Sequence, residues 1–199
     1  MSGHKKNGVV PTPHVLGRQK FPESYEVHGE NYAVFTKRLA PGEHIYVETG
    51  ALTYMSASIE MEVEFAGMAA LSGENLARSK FTNKGTTEGY IGLSPNLPMS
   101  SVIPLQLADY GAGGLFVKRG AWMASEAGVS VLPGILPARD LASLFLSGMA
   151  PIIQKLQGTG LAVIAAGGTL VQMPLEAGQV GATRAVSPRA DARRRPLPV

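Results

Sequence analysis

A seventeen-residue stretch, Val47–Val63 (V-E-T-G-A-L-T-Y-M-S-A-S-I-E-M-E-V), returns seventy positions later in looser form as Val117–Pro133 (V-K-R-G-A-W-M-A-S-E-A-G-V-S-V-L-P). Val47/Val117, Gly50/Gly120, Ala51/Ala121, Ala57/Ala127, Ile59/Val129 and Met61/Val131 fall in register. Each copy reads as strand, Gly-Ala break, strand, so the chain is confined to architectures that combine like β units. Ahead of the first copy stands Leu39-Ala40-Pro41-Gly42-Glu43, with Pro and Gly at the two corners of a type II turn. It is echoed 136 positions on by Leu175-Glu176-Ala177-Gly178-Gln179, close to twice the first interval, which starts a third copy. That copy is expected to stay incomplete. Val180–Arg184 lacks apolar alternation and a Pro/Arg/Ala run follows, so one sheet edge should be left unpaired.

The segments between the repeats are equally strand-like. Tyr25–His28 and Tyr32–Thr36 are short, aromatic and β-branched, with Gly29-Glu30-Asn31 as the turn between them. Ile59–Phe65 alternates strictly, which predicts apolar residues 59, 61, 63 and 65 inward and Glu60, Glu62 and Glu64 on a solvated face. Leu71–Arg78 reads as one helical turn capped by Ser72. Tyr90–Leu93 is a strand, and Val102–Leu107, which contains Pro104, is an edge strand. Pro137–Gln157 carries an approximate helical stripe through Leu141, Leu144, Phe145, Gly148 and Ile152, cut by Pro151, so one or two short helices are expected there. Leu161–Ala166 reads as a buried strand, Gly167-Gly168 as a hairpin turn and Thr169–Met173 as the return. The expected organisation is a flexible leader over 1–20, a single repeated β domain over 21–180 and a disordered Arg/Pro-rich tail over 181–199.

Composition narrows the functions. The chain has no cysteine, so thiolate metal sites and Cys nucleophiles are excluded. His4, His14, His28 and His44 share no ligand-like spacing and read as scattered, solvated residues. No apolar run reaches the ~18–20 residues of a membrane-spanning helix. The leader lacks the apolar core of a secretory signal; its Lys5, Lys6, Arg18 and Lys20 faintly resemble an organellar presequence. The net charge of +3 misleads, because residues 184–199 hold five arginines and one aspartate, a net of +4, and the remainder carries −1. A near-neutral body argues against a nucleic-acid groove built into it.

The ordered segments L-A-P-G-E-H-I-Y-V-E-T-G-A-L-T-Y-M-S, L-S-G-E-N-L-A-R-S-K-F-T-N-K-G, G-L-S-P, G-L-F-V-K-R-G-A-W-M-A-S and L-Q-G-T-G-L-A-V-I-A-A-G-G carry a resemblance. They are similar to the altered-inheritance-of-mitochondria protein twenty-four family, over roughly Tyr25–Gln179. Members of that family resemble the tryptophan RNA-binding attenuation protein in fold. The resemblance implies an all-β, internally repeated, β-sandwich-like domain with pseudo-threefold symmetry, assembled into oligomers. It also implies a role in mitochondrial inner-membrane organisation, with an intracellular location, cytoplasmic or mitochondrial. It carries over no catalytic residue, cofactor or metal.

The residues by themselves add little chemistry. No G-x-S-x-G elbow, G-x-G-x-x-G or Walker sequence occurs, and every histidine lies in the first 44 positions, so no nucleophilic triad is evident. Glu43, Glu48 and Glu74 lie beside turns, where structural roles are expected over pocket-lining ones, and Trp122 is expected to be a core or interface anchor. The compact basic pairs are Lys37-Arg38, Arg78/Lys80 and Lys118-Arg119. Arg184, Arg189, Arg193, Arg194 and Arg195 of the tail would reach RNA or anionic lipid by charge alone. The expectation is a non-enzymatic β-domain working through protein–protein assembly, as a homo-oligomer or with protein partners. The alternative is a ligand- or RNA-binding module using the sheet surface.

Overall fold

Pro41 and Gly42 turn the chain as their chemistry requires: Gly42 takes φ +80° and the Glu43 amide donates to the Ala40 carbonyl at 2.9 Å. Such turns join short antiparallel strands throughout. The computed structural model of the chain describes residues 24–29, 32–65, 77–135, 152–168 and 189–190. Its strands are β1 (Tyr25–His28), β2 (Val34–Leu39), β3 (His44–Glu48), β4 (Leu52–Met55), β5 (Ile59–Phe65), β6 (Ala77–Asn83) and β7 (Gly89–Leu93). After them come β8 (Ser100–Gln106), β9 (Leu115–Lys118), β10 (Trp122–Glu126), β11 (Val129–Ile135), β12 (Ile152–Gly158), β13 (Leu161–Gly167) and β14 (Arg189–Ala190). A single 3-10 turn, Leu107–Tyr110, is the only helical element among the described residues. The protein is all-β.

The strands form three antiparallel sheets, ordered β1-β2-β7-β4, β5-β6-β3-β10-β13-β8 and β11-β12-β9-β14. The sequence repeat is a repeat of pairing. In the first copy β6 lies between β5 and β3, and β7 lies between β2 and β4; in the second, β12 lies between β11 and β9, and β13 between β8 and β10. The Gly-Ala break is the same turn twice. Gly50 (φ +94°) and Gly120 (φ +76°) let the Ala51 amide reach the Glu48 carbonyl and the Ala121 amide reach the Lys118 carbonyl. The copies join where β3 of the first pairs with β10 of the second, with Val47 opposite Ala124 and Ile45 opposite Glu126. Each copy thus divides its strands between two sheets, which is why two copies make three sheets.

Within the six-stranded sheet, β10 and β13 are buried on both faces. Along β13, Leu161 and Val163 enter one core cluster with Phe35, Ile45, Phe81 and Leu93, while Ala162 and Ile164 enter a second with Leu115, Val117, Trp122 and Leu156. β10 does likewise, Met123 and Ala124 on one side and Trp122 on the other. A strand covered on both faces needs no polar alternate, which explains the unbroken run L-A-V-I-A-A.

Four expectations are corrected. Residues 152–158 form a strand and not helix, because β12 is held between β11 and β9 in continuous register; residues 137–151 lie outside the described residues. Ala77 and Arg78, expected as the end of a capped turn, instead begin β6 (Ala77–Asn83), paired with both β3 and β5. Met61 and Val63 are 53% exposed, although Ile59 on the same face is buried. β5 is the outer strand of its sheet, and beyond Ile59 none of its described side chains joins a core cluster. His28 is buried, with Nε2 3.4 Å from a Glu26 carboxylate oxygen, and is not solvated. The expected leader, the Ser72 cap, the return strand 169–173 and the restart at Leu175 lie outside the described residues, as does the tail apart from Arg189–Ala190, which pair with Phe116 and Leu115.

Candidate functional site: an ion cluster and an open sheet edge

Lys37 and Arg38 were grouped as a basic pair, but alternation along β2 sends them to opposite faces. Arg38 is exposed, 3.9 Å from Glu88. Lys37 is 1% exposed, and its ammonium is held by Glu126 Oε1 at 2.9 Å, Glu43 Oε1 at 3.1 Å and Ser24 Oγ at 3.1 Å. Those three contacts use its three N–H donors. The remaining carboxylate oxygens are occupied too: Glu43 Oε2 accepts the Ala40 amide, and Glu126 Oε2 accepts the Leu161 amide. The cluster ties β2 and its turn, in the four-stranded sheet of the first copy, to β10 and β13 in the six-stranded sheet. With every donor taken and both acids engaged, it is a lock between sheets and not a reactive lysine.

The other singled-out acids and bases are likewise engaged. Glu48 accepts from Asn96 Nδ2 at 3.1 Å, and Asn96 also donates to the Thr49 carbonyl. Burial raises the Glu48 carboxyl above its ordinary value, and the Asn96 hydrogen bond opposes that shift. Glu74 lies outside the described residues. On the outer surface of β5 and β6, Arg78 bonds Glu64 at 3.1 Å, and Lys80 lies 3.7 Å from Glu62. The Arg78 guanidinium also stacks over the Tyr46 ring at 3.8 Å. The glutamate face is thus a mixed-charge ladder. Lys37, Arg38, Arg78 and Lys80 all lie beside carboxylates, which leaves too little for a basic track along a sheet. Among the described residues no group of three His, Asp or Glu converges as a metal site would require.

A recess of about 190 Å³ lies between Tyr32–Val34 and the loop Ser94–Ser100. That is below the ~300–1,000 Å³ of sites that enclose a small organic ligand. Its walls are apolar, Tyr32, Leu97 and Met99 being exposed, and the buried Ser100 hydroxyl has no partner.

The largest departure from the repeat is at β4 and β10. Leu52 and Trp122 occupy the same register position, yet Trp122 is 4% exposed in the second core cluster and Leu52 is 37% exposed. The strand β10 is buried along Trp122–Ser125, with β13 on one edge and β3 on the other. The strand β4 has β7 on one edge and no described strand on the other, and its Leu52, Thr53 and Met55 are exposed. Sequence register found the equivalence of these strands. It could not show that only one of them is covered.

Fold and site together define an internally repeated all-β domain with an ion cluster that joins two sheets and, among the described residues, an unpaired edge at β4. The chain belongs to the family described as Mitochondrial biogenesis AIM24, whose model matches residues 25–183. No curated protein matches the sequence. Among solved structures, the crystal structure of protein SPYM3_0169 from Streptococcus pyogenes is similar, with a TM-score of 0.55 at 15% identity over 72% of this chain. That identity speaks for the fold alone. The matched part is 64% of the streptococcal chain, so this chain spans less than two thirds of it. No helix among the described residues is long and apolar enough to cross a membrane.

Proposed function

We propose that this is a non-enzymatic β-domain that acts through protein–protein assembly, and that its family's link to mitochondrial biogenesis reflects organisation of inner-membrane complexes. One observation carries the reading: among the described residues β4, the counterpart of the fully paired β10, has no strand on its outer edge and exposes Leu52 and Met55. Open apolar edges recruit further strands. The internal use of Lys37, Glu43 and Glu126 supports the non-enzymatic part, since those groups hold sheets together. Size-exclusion chromatography with light scattering tests it. A stable oligomer at micromolar concentration is expected, and a clean monomer there would count against assembly.

The arginines at 184, 189, 193, 194 and 195 keep a second reading in view, an RNA- or ligand-binding module. Filter binding to mixed RNA, with and without residues 184–199, separates the two. Binding that survives both tail removal and high salt would favour the second; binding lost with the tail is nonspecific charge attraction.

A further inference from the structure

At the joint between the two copies, Ile45 and Tyr46 of β3 lie opposite Glu126 and Ser125 of β10. The seventy-residue interval makes Leu115 and Phe116 of β9 the counterparts of Ile45 and Tyr46. These lie opposite Ala190 and Arg189 of β14, again antiparallel. Arg189-Ala190 therefore stands where Ser125-Glu126 stands, 64 positions later. Spacing agrees independently of pairing. Leu175, which reopens the turn motif of Leu39, lies 66 positions past Asp109, the second-copy counterpart of Leu39. Both put the same short segment in one role, the joint strand of the third copy.

Its sequence suits the outside of a sheet. Val186-Ser187-Pro188-Arg189-Ala190 takes the place of Trp122-Met123-Ala124-Ser125-Glu126. At the joint between the copies, Ala124 continues the pairing to Val47. Pro188 falls at that position, and a proline donates nothing to a ladder, so β14 is only two residues long. Proline and charge are also what proteins use to blunt a sheet edge. β9 needs such a neighbour: its L-F-V-K run has no proline and no charge before Lys118, and Leu115 and Val117 belong to the second core cluster. The strand at the other side of that sheet, β11, carries a proline of its own, Pro133.

We infer that Arg189-Ala190 is an edge strap: it takes the joint side of β9 and closes that side to strands of other chains. The arginine-rich segment is then part of how the domain is closed and not only a source of charge. The inference goes beyond the assembly reading and does not rest on it, because the contact lies within one chain and is read there.

Two experiments on the full chain test it. The protein has no cysteine, so Phe116→Cys/Arg189→Cys carries only two thiols, which the register sets opposite each other. In dilute solution under mild oxidation its intramolecular disulfide should form about tenfold faster than that of Phe116→Cys/Val199→Cys. Equal rates would show that the segment is not seated on β9 and would overturn the inference. The second variant, Arg189→Pro/Ala190→Pro, removes both strap amides and keeps the chain length. Hydrogen exchange within Leu115–Lys118 should quicken about threefold to tenfold, while the amides of β13 stay protected. Exchange unchanged at β9 would refute the strap. Light scattering should also show a mean mass above that of the wild type at the same concentration, because a freed edge recruits strands. Quicker exchange with an unchanged mass would refute the closing role.

Discussion

Lys37→Met removes an ammonium that joins two sheets while leaving a side chain of similar length. In the native protein the charge is 1% exposed and lies 2.9 Å and 3.1 Å from two carboxylates. At an effective dielectric constant of about 20, each contact corresponds to roughly 5 kcal/mol of attraction. Desolvation of the three ions opposes that by several kcal/mol per ion. Removing one partner of a buried ion pair costs ~3–5 kcal/mol, chiefly because the remaining charge is stranded. Here Glu43 and Glu126 are each about one-third exposed and can regain water, so the lower end applies, about 3 kcal/mol. Urea unfolding at one fixed protein concentration measures it, since any assembly makes stability concentration-dependent. The double variant Lys37→Met/Glu126→Gln should cost less than the sum of the single changes, because their shared contact is lost only once. A cost below about 1 kcal/mol, or strict additivity, would refute the lock.

Three further outcomes follow from the repeat and its asymmetry. Gly50→Ala and Gly120→Ala each place a side chain at positive φ, worth about 1–2 kcal/mol. Gly50→Ala should cost more, because its Cβ falls 2.9 Å from Asn96 Oδ1 whereas Gly120 has open space; equal costs in thermal melts would contradict the geometry. Trp122→Ala should lose ~3–5 kcal/mol and Leu52→Ala, at the same register position, no more than about 1 kcal/mol in the monomer, read by denaturant unfolding at low protein concentration. Glu48 has a folded pKa raised by burial, so its ionised form costs stability, and that cost appears as pH rises through and above the ordinary carboxylate range. Glu48→Gln should therefore stabilise at neutral pH, with the gain vanishing in acid; a gain that grew on acidification would reverse the sign.

Much of the fold was legible because β structure writes itself with period two and turn residues. Pro41-Gly42, the paired Gly-Ala breaks, the apolar run of β13 and the edge position of β8 with its Pro104 all follow from local chemistry. The misreadings share a cause in tertiary cover. Ile152 fits the end of the helical stripe from Leu141 as well as the start of β12, and only pairing with β9 and β11 decides. In β5 the alternation separates two faces correctly but does not say whether a layer lies over the apolar one, and Met61 and Val63 are left exposed. The lysine lock was hidden for a related reason. Glu126 is far in sequence from Lys37 and Glu43, and a lone Lys-Arg pair gives no sign that one member turns inward. The candidate edge was half legible: the repeat aligned Leu52 with Trp122, while the strand pairing that buries one and exposes the other appears only in three dimensions.

Hydrogen exchange at the backbone amides of Leu52–Met55, followed as protein concentration is raised, tests the assembly account most directly. Protection at those amides should appear with concentration and fall away on dilution, while the amides of β10, paired on both edges within the chain, stay protected throughout. Exchange at β4 that is fast at every concentration, or slow at every concentration, would contradict it.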